Sequence, residues 1–374
     1  MPESKRHKIA LMGYDLSTGG AERSMANISF VLHSLNYDVH LVIFNDRIDC
    51  PFQGKIHMIG EHRKENESFL TRYAYKLRRF IRLKTFFKKE KPDVVIDFRF
   101  RENTLQEVLI YKLIYNGIRI QTVRSGAYYF YLFRNKWLSK YIFKDFDQII
   151  CISDKQRDRI KQELGFNHLT VIPNPTNPER IKQLQDQPLE IDFPYIVAVG
   201  RLTPEKQFDL LVEAYSKTTL AQSGVKLIIV GTGEEEQKIR QTIDGLNLTE
   251  SVILEGYQSN SFTYMKNALF LVLSSKYEGL PMVLLECLSC GTPVVAFDCF
   301  SGPSEIVNHR ENGLLTEDQN FEQLAKDIDL LFKDKELYQT CKANALSSVA
   351  KFRPEHIAHK WEVLLAELLS QTNK

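Results

Sequence analysis

Two cations sit where they could hold a diphosphate, Arg201 and Lys206 in VAVGRLTPEKQFDLL, and two acids, Glu278 and Glu286 in SSKYEGLPMVLLECLSCGTPVVAFD, sit where they could bind what flanks it. A guanidinium fork and an ammonium together neutralise phosphoryl oxygens and stabilise the charge that develops on a departing diphosphate. The second segment predicts a strand ending at Ser274 or Ser275, then a loop with Glu278 and Gly279. A helix follows, with Pro281 in its first turn and Gly291 past its end. The unpaired N–H groups at residues 280–283, Leu280 among them and Pro281 excepted, and the positive end of that helix favour the same anion. Glu278 and Glu286 stand eight residues apart, which on a helix is about 12 Å and little more than two turns. That is too far for one acid–base pair, but it suits two acids that accept hydrogen bonds from rings on either side of one diphosphate.

The first half of the chain offers weaker candidates. In YDLSTGGAERSM, residues 14–25, Gly19 and Gly20 would let the backbone approach a ligand closely, but the pattern is not GxGxxG and disfavours a dinucleotide. Arg23, Arg99 in DVVIDFRFREN and Arg124 in IQTVRSG are candidate contacts for a second substrate, and each could equally pair with a nearby acid. Cys287 and Cys290 form one CxxC without a second ligand pair, and the six cysteines are expected to be reduced core residues. Asp145–Phe146–Asp147 has the look of a metal-binding DxD but no visible partner ligands, so no metal is expected.

These residues need rigid strand ends behind them, and the sequence supplies two sets. Short β-branched runs alternate with longer amphipathic segments, the pattern of parallel strands joined by crossover helices. Strands are expected at 8–14, 38–44, 93–98, 120–124, 148–153 and 169–174, and again at 195–202, 226–233, 252–257, 269–275 and 293–298. Between the sets run Pro173, Pro175, Pro178, Pro188 and Pro194, which break helices and deny strand donors. Domains are therefore expected at 1–190 and 191–354, with an amphipathic helix from 355 to 374 around Trp361, Leu364, Leu365 and Leu368 packing back on the first.

A length of 374 residues suits two α/β domains. The net charge of +2 hides an asymmetry: residues 1–182 hold 32 Lys+Arg and 20 Asp+Glu, leaving 17 and 27 in residues 183–374. A basic half fits an anionic partner. Residues 69–91, FLTRYAYKLRRFIRLKTFFKKEK, mix cations with rings, and residues 128–143, YYFYLFRNKWLSKYIF, do so again. Both segments are expected to lie on an anionic membrane, although aromatics in the core beneath a solvated basic face would give the same pattern. No nucleic-acid motif accompanies the basic residues, so nucleic acid is not expected. With no secretory signal at the start and no run long enough to span a bilayer, the expected location is cytoplasmic, peripheral on the cytosolic face of the inner membrane.

Taken together, GGAER, GRLTPEK, EGLPMVLLE as an E-x7-E motif and CGTPVVAFD resemble the retaining glycosyltransferases of family 4 through nearly all of the chain. The resemblance implies a GT-B fold: two Rossmann-like doubly wound α/β domains facing a central cleft, with a C-terminal helix crossing back to the first. It implies that Arg201 and Lys206 hold the donor diphosphate, Glu278 binds hydroxyls of the transferred sugar and Glu286 the ribose. Ser304 and Glu305, in SGPSEIV, would contact sugar or nucleotide; Gly19 and Gly20 would approach acceptor and donor from the first domain. It further implies catalysis by Arg201, Lys206 and Glu278 with retention, no metal and no resident cofactor. Where many members carry a His after the fourth strand this chain has Arg99, so acceptor chemistry there is expected to differ. GPSEI and DFR are similar to enzymes adding hexose or N-acetylhexosamine from UDP-sugars to undecaprenyl-diphosphate-linked oligosaccharides in bacterial envelope assembly. A nucleotide-sugar-binding module without turnover, or an epimerase on the same fold, would share these motifs.

Overall fold

The computed structural model describes residues 6–17, 19–60, 69–101, 107–108, 110–111, 114 and 117–372, without the side chains of 69–73 and 372. Arg72 and Tyr73 of the first basic segment thus lie outside the described side chains. The chain divides into two compact units, Met1–Pro175 with Pro354–Lys374, and Thr176–Arg353.

The first unit is built on a seven-stranded parallel sheet in the order β3-β2-β1-β4-β5-β6-β7. Its strands are β1 (Lys8–Gly13), β2 (Asp38–Ile43), β3 (Lys55–Met58), β4 (Val94–Asp97), β5 (Ile118–Val123), β6 (Gln148–Cys151) and β7 (Leu169–Val171). Successive side chains of β1 feed opposite faces: Ile9 and Leu11 join one apolar cluster, Ala10 and Met12 the other. Burial on both faces is why β1, β2 and β4 read as continuous apolar runs. Helix α1 (Gly20–Ser34) covers the Ile9 face with Met25, Ile28 and Leu32. The C-terminal helix Pro354–Thr372 places Trp361, Leu364, Leu365 and Leu368 in that same cluster. Helix α2 (Phe69–Glu90) covers the other face with Leu83, Phe86 and Phe87.

The second unit holds a six-stranded parallel sheet in the order β10-β9-β8-β11-β12-β13. Its strands are β8 (Tyr195–Val199), β9 (Lys226–Val230), β10 (Val252–Gly256), β11 (Leu271–Leu273), β12 (Val294–Phe297) and β13 (Gly313–Thr316). In both sheets the strand order reverses at a central strand, between β1 and β4 and between β8 and β11, and doubly wound sheets bind ligands beyond the strand ends at such a switch point. The division after Pro175 falls earlier than the expected boundary near residue 190. The reason is the helix Pro178–Leu184, which packs on the helices Phe262–Asn267 and Met282–Ser289 and receives a hydrogen bond from Asn260 Nδ2 at Leu184 O, 2.9 Å.

Candidate active site

In the second unit the loops beyond β8, β11 and β12 are tied to one another. Gly200 follows β8, and a Cβ there would meet Lys206 Cε at 3.4 Å, so the lysine stem lies along the glycine. Residues Pro204–Lys206 make a single 3-10 turn. Two bonds from the end of β11 fix that turn: Ser274 Oγ donates to Lys206 O at 2.8 Å and Lys276 N to Glu205 O at 2.8 Å. The outcome is a direct ion pair, Lys206 Nζ to Glu278 Oε1 at 2.6 Å, with the side chains 20% and 13% exposed. Arg201 is exposed and has no ion-pair partner among the described residues.

Beyond β11 the chain turns through Gly279 and buried Leu280 to Pro281, the N-cap of the helix Met282–Ser289. Glu286 is half-buried on that helix, whereas Glu278 precedes it in the loop. The two acids therefore do not share a helix face, and the spacing estimate based on one helix does not apply. The loop beyond β12 closes on the same place: Ser301 Oγ donates to Gly279 O at 3.1 Å, and Gly302 has φ of +99°. A Cβ at Gly302 would lie 2.6 Å from Pro281 Cδ, so only glycine lets this loop approach so closely. Ser304 and Glu305 follow it, both half-buried, and Ser304 Oγ is buried without a hydrogen-bond partner among the described residues. Ser274 and Ser301, which tie the loops together, escaped the sequence reading; a hydroxyl residue in the loop after each strand was the available signal.

In the first unit, Gly19 is the N-cap of α1 and has no side chain of its own to cap the helix. The Glu22 carboxylate lies against Gly19, where a Cβ would collide with it, while a Cβ on Gly20 would meet nothing within 4 Å. Arg23 is exposed.

Arg99 does not stand where an acceptor could meet it. It is fully buried, with Nη2 donating to Asp97 Oδ2 at 2.7 Å and to Glu107 Oε2 at 3.0 Å. Arg101 Nη1 reaches the same two carboxylates at 3.4 and 3.2 Å, and Tyr111 donates to Asp97 at 2.9 Å. The cause is Asp97 itself, which ends β4 inside the core and needs counter-charge there. Burial alone would raise its pKa, but the guanidinium groups of Arg99 and Arg101 outweigh that and hold the carboxyl well below its ordinary value.

Arg124 follows β5 and is 8% exposed. Its Nη1 donates to Ile172 O at 3.2 Å and Asn174 Oδ1 at 3.0 Å; its Nε and Nη2 have no partner among the described residues. Burial draws its pKa down to about 10, against smaller upward influences of Tyr131 and Cys151.

The two basic segments differ. On α2, Phe86 and Phe87 are core and Phe80 packs on them, leaving Leu77 and Ile81 exposed among exposed Lys76, Arg78, Arg82, Lys84, Lys88 and Lys89. Its described rings therefore stabilise the unit instead of facing a membrane. In 128–143, by contrast, Tyr129, Phe130, Trp137 and Tyr141 are all exposed, with Trp137 at 72% and stacked on Tyr141 at 5.6 Å. Arg134, Lys136, Lys140 and Lys144 are exposed beside them.

All six cysteines are buried and unbridged, and burial pushes the Cys290 thiol up to about 12. Of the Asp145–Asp147 pair, Asp147 Oδ2 accepts the Arg119 amide at 2.7 Å. Among the described residues no group of three His, Cys, Asp or Glu could hold a metal, and no helix is long and apolar enough to cross a membrane.

Residues 18–180 match the family described as Glycosyltransferase Family 4, and residues 179–347 that described as Glycosyl transferases group 1. The chain is 29% identical over 365 residues to the N-acetylgalactosamine-N,N'-diacetylbacillosaminyl-diphospho-undecaprenol 4-alpha-N-acetylgalactosaminyltransferase of Campylobacter jejuni, covering 94% of this chain and 97% of that one. It is 26% identical over 351 residues to the amylovoran biosynthesis glycosyltransferase AmsD of Erwinia amylovora, covering 93% and 96%. Among solved structures, Anabaena HepE in complex with UDP superposes with a TM-score of 0.74 at 20% identity, over 96% of this chain and 100% of that one. That last likeness speaks for the fold alone.

Proposed function

Since the chain belongs to the family 4 glycosyltransferases and has the GT-B fold, we propose that its second unit binds a UDP-sugar and transfers hexose or N-acetylhexosamine with retention of configuration. The acceptor is a lipid-linked or oligosaccharide chain of bacterial cell-surface polysaccharide synthesis, met on the cytosolic face of the inner membrane. Support for this reading comes from two relatives, one named for a diphospho-undecaprenol glycan and one for amylovoran biosynthesis.

The observation that carries the donor assignment is the Lys206–Glu278 pair, held by loops from three strands beside a helix start. An incoming diphosphate takes Lys206 together with Arg201, and its first oxygens meet the N–H groups at Gly279, Leu280 and Pro281's following turn. Glu278, released from the lysine, then accepts hydroxyls of the transferred sugar, while Glu286 accepts those of the ribose. Ser304 and Glu305 border the same site.

The C1–O bond to the diphosphate breaks as the acceptor oxygen bonds C1 from the same face, and the acceptor proton passes to a leaving phosphate oxygen. No bound metal is needed, because Arg201, Lys206 and the helix start carry the developing charge. Gly19, Gly20 and Arg23 contribute from the first unit, Gly20 to the donor and the other two to the acceptor. The membrane contact falls to residues 128–143, whose rings are exposed, with the cations of 69–91 adding charge.

The test is release of nucleoside diphosphate from a panel of nucleotide sugars with and without acceptor, with chelator present throughout, and the anomeric configuration of the product read by NMR. Release that needs acceptor, survives chelation and yields a retained linkage supports the reading. Binding without turnover would replace it with a binding module, and interconversion of sugar nucleotides without acceptor would replace it with an epimerase.

A further inference from the structure

Strand β3 lies at the edge of the first sheet, with β2 as its one neighbour among the described residues. Little apolar surface secures it: Lys55 and Met58 are exposed, and Ile56 and His57 are half-buried. Polar contacts across the two strands add to the ladder. Lys55 Nζ pairs with Asp38 Oδ1 at 3.0 Å, and His57 Nε2 lies 3.0 Å from His40 Nδ1. His57 stands opposite Val42 in the register, so His40 is its diagonal neighbour on the same face. The two imidazoles are stacked within 3° of parallel, 5.0 Å between centroids, and Phe86 of α2 lies against both, 4.7 Å from His57 and 6.2 Å from His40. His40 is 2% exposed, and its other nitrogen, Nε2, is 3.2 Å from Asp38 Oδ2.

Counting protons shows what this arrangement tolerates. Nε2 of His40 donates to Asp38, and Nδ1 of His40 and Nε2 of His57 share one proton between them. The bond exists with both rings neutral, His57 donating. It also survives one added proton, because an imidazolium at His40 donates from both nitrogens and a neutral His57 accepts. A second added proton does not fit: two N–H groups would face one another across 3.0 Å, and two stacked cations would share a partly buried site. The surrounding charges allow the first proton and oppose the second. On β2 Asp38 bonds His40, on β3 Lys55 bonds Asp38, and from the end of α2 Glu90 and Lys89 act on His57, with Lys8 of β1 paired to Glu90 at 2.9 Å. Burial, and then the charge of His40, draw the His57 pKa below its ordinary value against the upward pull of Glu90. Asp38, in spite of its burial, is held below the ordinary carboxylate value by Lys55 and His40, and Glu90 by its bond from Lys8. Both acids therefore stay ionised where imidazoles titrate.

We propose that His40 and His57 form an acid-sensitive latch on the edge of the first sheet: one added proton is shared and the strand stays, while a second drives the rings apart and releases β3 together with the end of α2 that rests on them. The latch goes beyond the transferase reading and does not depend on it. His57 binds a proton less readily with the strand closed than with it open, so closure is complete above the ordinary imidazole value of 6.5 and is lost as pH falls beneath it. Each pH unit below that value favours the open form by up to about tenfold, the effect of one proton.

The test is hydrogen exchange of the full chain, read by mass spectrometry from about pH 8 to about pH 5 and corrected for the intrinsic pH dependence of exchange, with β9 as the internal reference. Amides of residues 55–58 are expected to lose protection by up to about tenfold per pH unit below about pH 6.5, while those of β9 keep theirs. His57→Gln places an amide N–H where Nε2–H stood, keeps a donor for His40 Nδ1 and takes no second charge, so its β3 protection should be flat across the range. Nitrogen NMR of the unsubstituted chain reads the same event without a variant: the two rings should titrate in separate steps, the second below the ordinary imidazole value. The latch is overturned if wild-type β3 keeps its protection at the acid end, if His57→Gln opens at the same pH as wild type, or if the two rings titrate together with no step below the ordinary value. None of these readouts needs turnover, so a failed transfer assay and a failed latch remain distinguishable.

Discussion

Both sheets are followed at their switch points by basic residues, and the two sets have opposite fates. Beyond β4, Arg99 and Arg101 meet Asp97 and Glu107 in a network where no member's side chain is more than 3% exposed, two cations against two carboxylates among the described residues. Beyond β8, Lys206 has one carboxylate, partly exposed, and Arg201 has no ion-pair partner among the described residues. A balanced, dry network holds a loop in place; an unbalanced, half-open one leaves charge to spend on a ligand. The lesson is that an arginine after a strand says little until its counter-charge has been counted.

The contrast is broken hardest by removing a carboxylate on the buried side. Asp97→Asn leaves two buried guanidinium groups with Glu107 as the remaining carboxylate among the described residues, and breaking such a network costs about 3–5 kcal/mol. Urea unfolding followed by circular dichroism would read it. The pH dependence carries a sign: Asp97 has a folded pKa below its unfolded one, so its contribution is complete above the ordinary carboxylate value near 3.8 and fades as pH falls below it. Asp97→Asn should therefore lose most of its deficit relative to wild type in strong acid; an equal deficit at pH 7 and pH 2 would show that the network does not work through that charge.

On the open side the loss should appear in turnover and not in stability. Arg201→Ala and Lys206→Ala are each expected to lower kcat on the order of 10²-fold, with unfolding midpoints close to wild type because neither side chain supports the core. Near-normal turnover in both would end the donor assignment. Gly302→Ala is expected to have a smaller effect: strain of about 1–3 kcal/mol at a backbone with φ of +99°, relieved by moving the loop off Gly279 and Pro281. Steady-state kinetics should then show a raised KM for the donor, and an unchanged KM would mean the loop does not shape that site.

Much of this was legible in the sequence. Apolar runs fixed most of the strands because strands covered on both faces need no polar alternation, whereas β3 (KIHM) and β13 (GLLT) are edge strands of four residues with two apolar side chains each, and left no such trace. Arg201, Lys206 and Glu278 could be placed from order along the chain, in the loops that follow β8 and β11. The fate of Arg99 was not: Asp97 lies two residues away and signals a partner, but Glu107 reaches Arg99, and Tyr111 reaches Asp97, through the tertiary fold. Nor could the sequence tell the rings of α2 from those of 128–143, because both read as aromatics among lysines, and which of them turn inward depends on what packs beneath.

That last distinction supports the smallest of the expected effects. Phe86 and Phe87 lie in the core, but Trp137 and Tyr141 stack in the open with Arg134, Lys136, Lys140 and Lys144 around them, a combination suited to the headgroup layer of an anionic bilayer. The chain has two tryptophans, and Trp361 is fully buried, so a change in emission on mixing with vesicles reports Trp137. Phosphatidylglycerol vesicles should shift that emission to the blue, zwitterionic vesicles should do so weakly, and Trp137→Phe should erase the shift while vesicle sedimentation falls only in part. Lys140→Gln should weaken sedimentation about fivefold, the value of one cation near a charged surface at about 1 kcal/mol, and Lys84→Gln on α2 should weaken it less. If the two lysine variants weakened binding equally, charge alone would govern the contact; if the emission did not move while the protein still sedimented, the rings would stay in water and the exposed stack would need another partner.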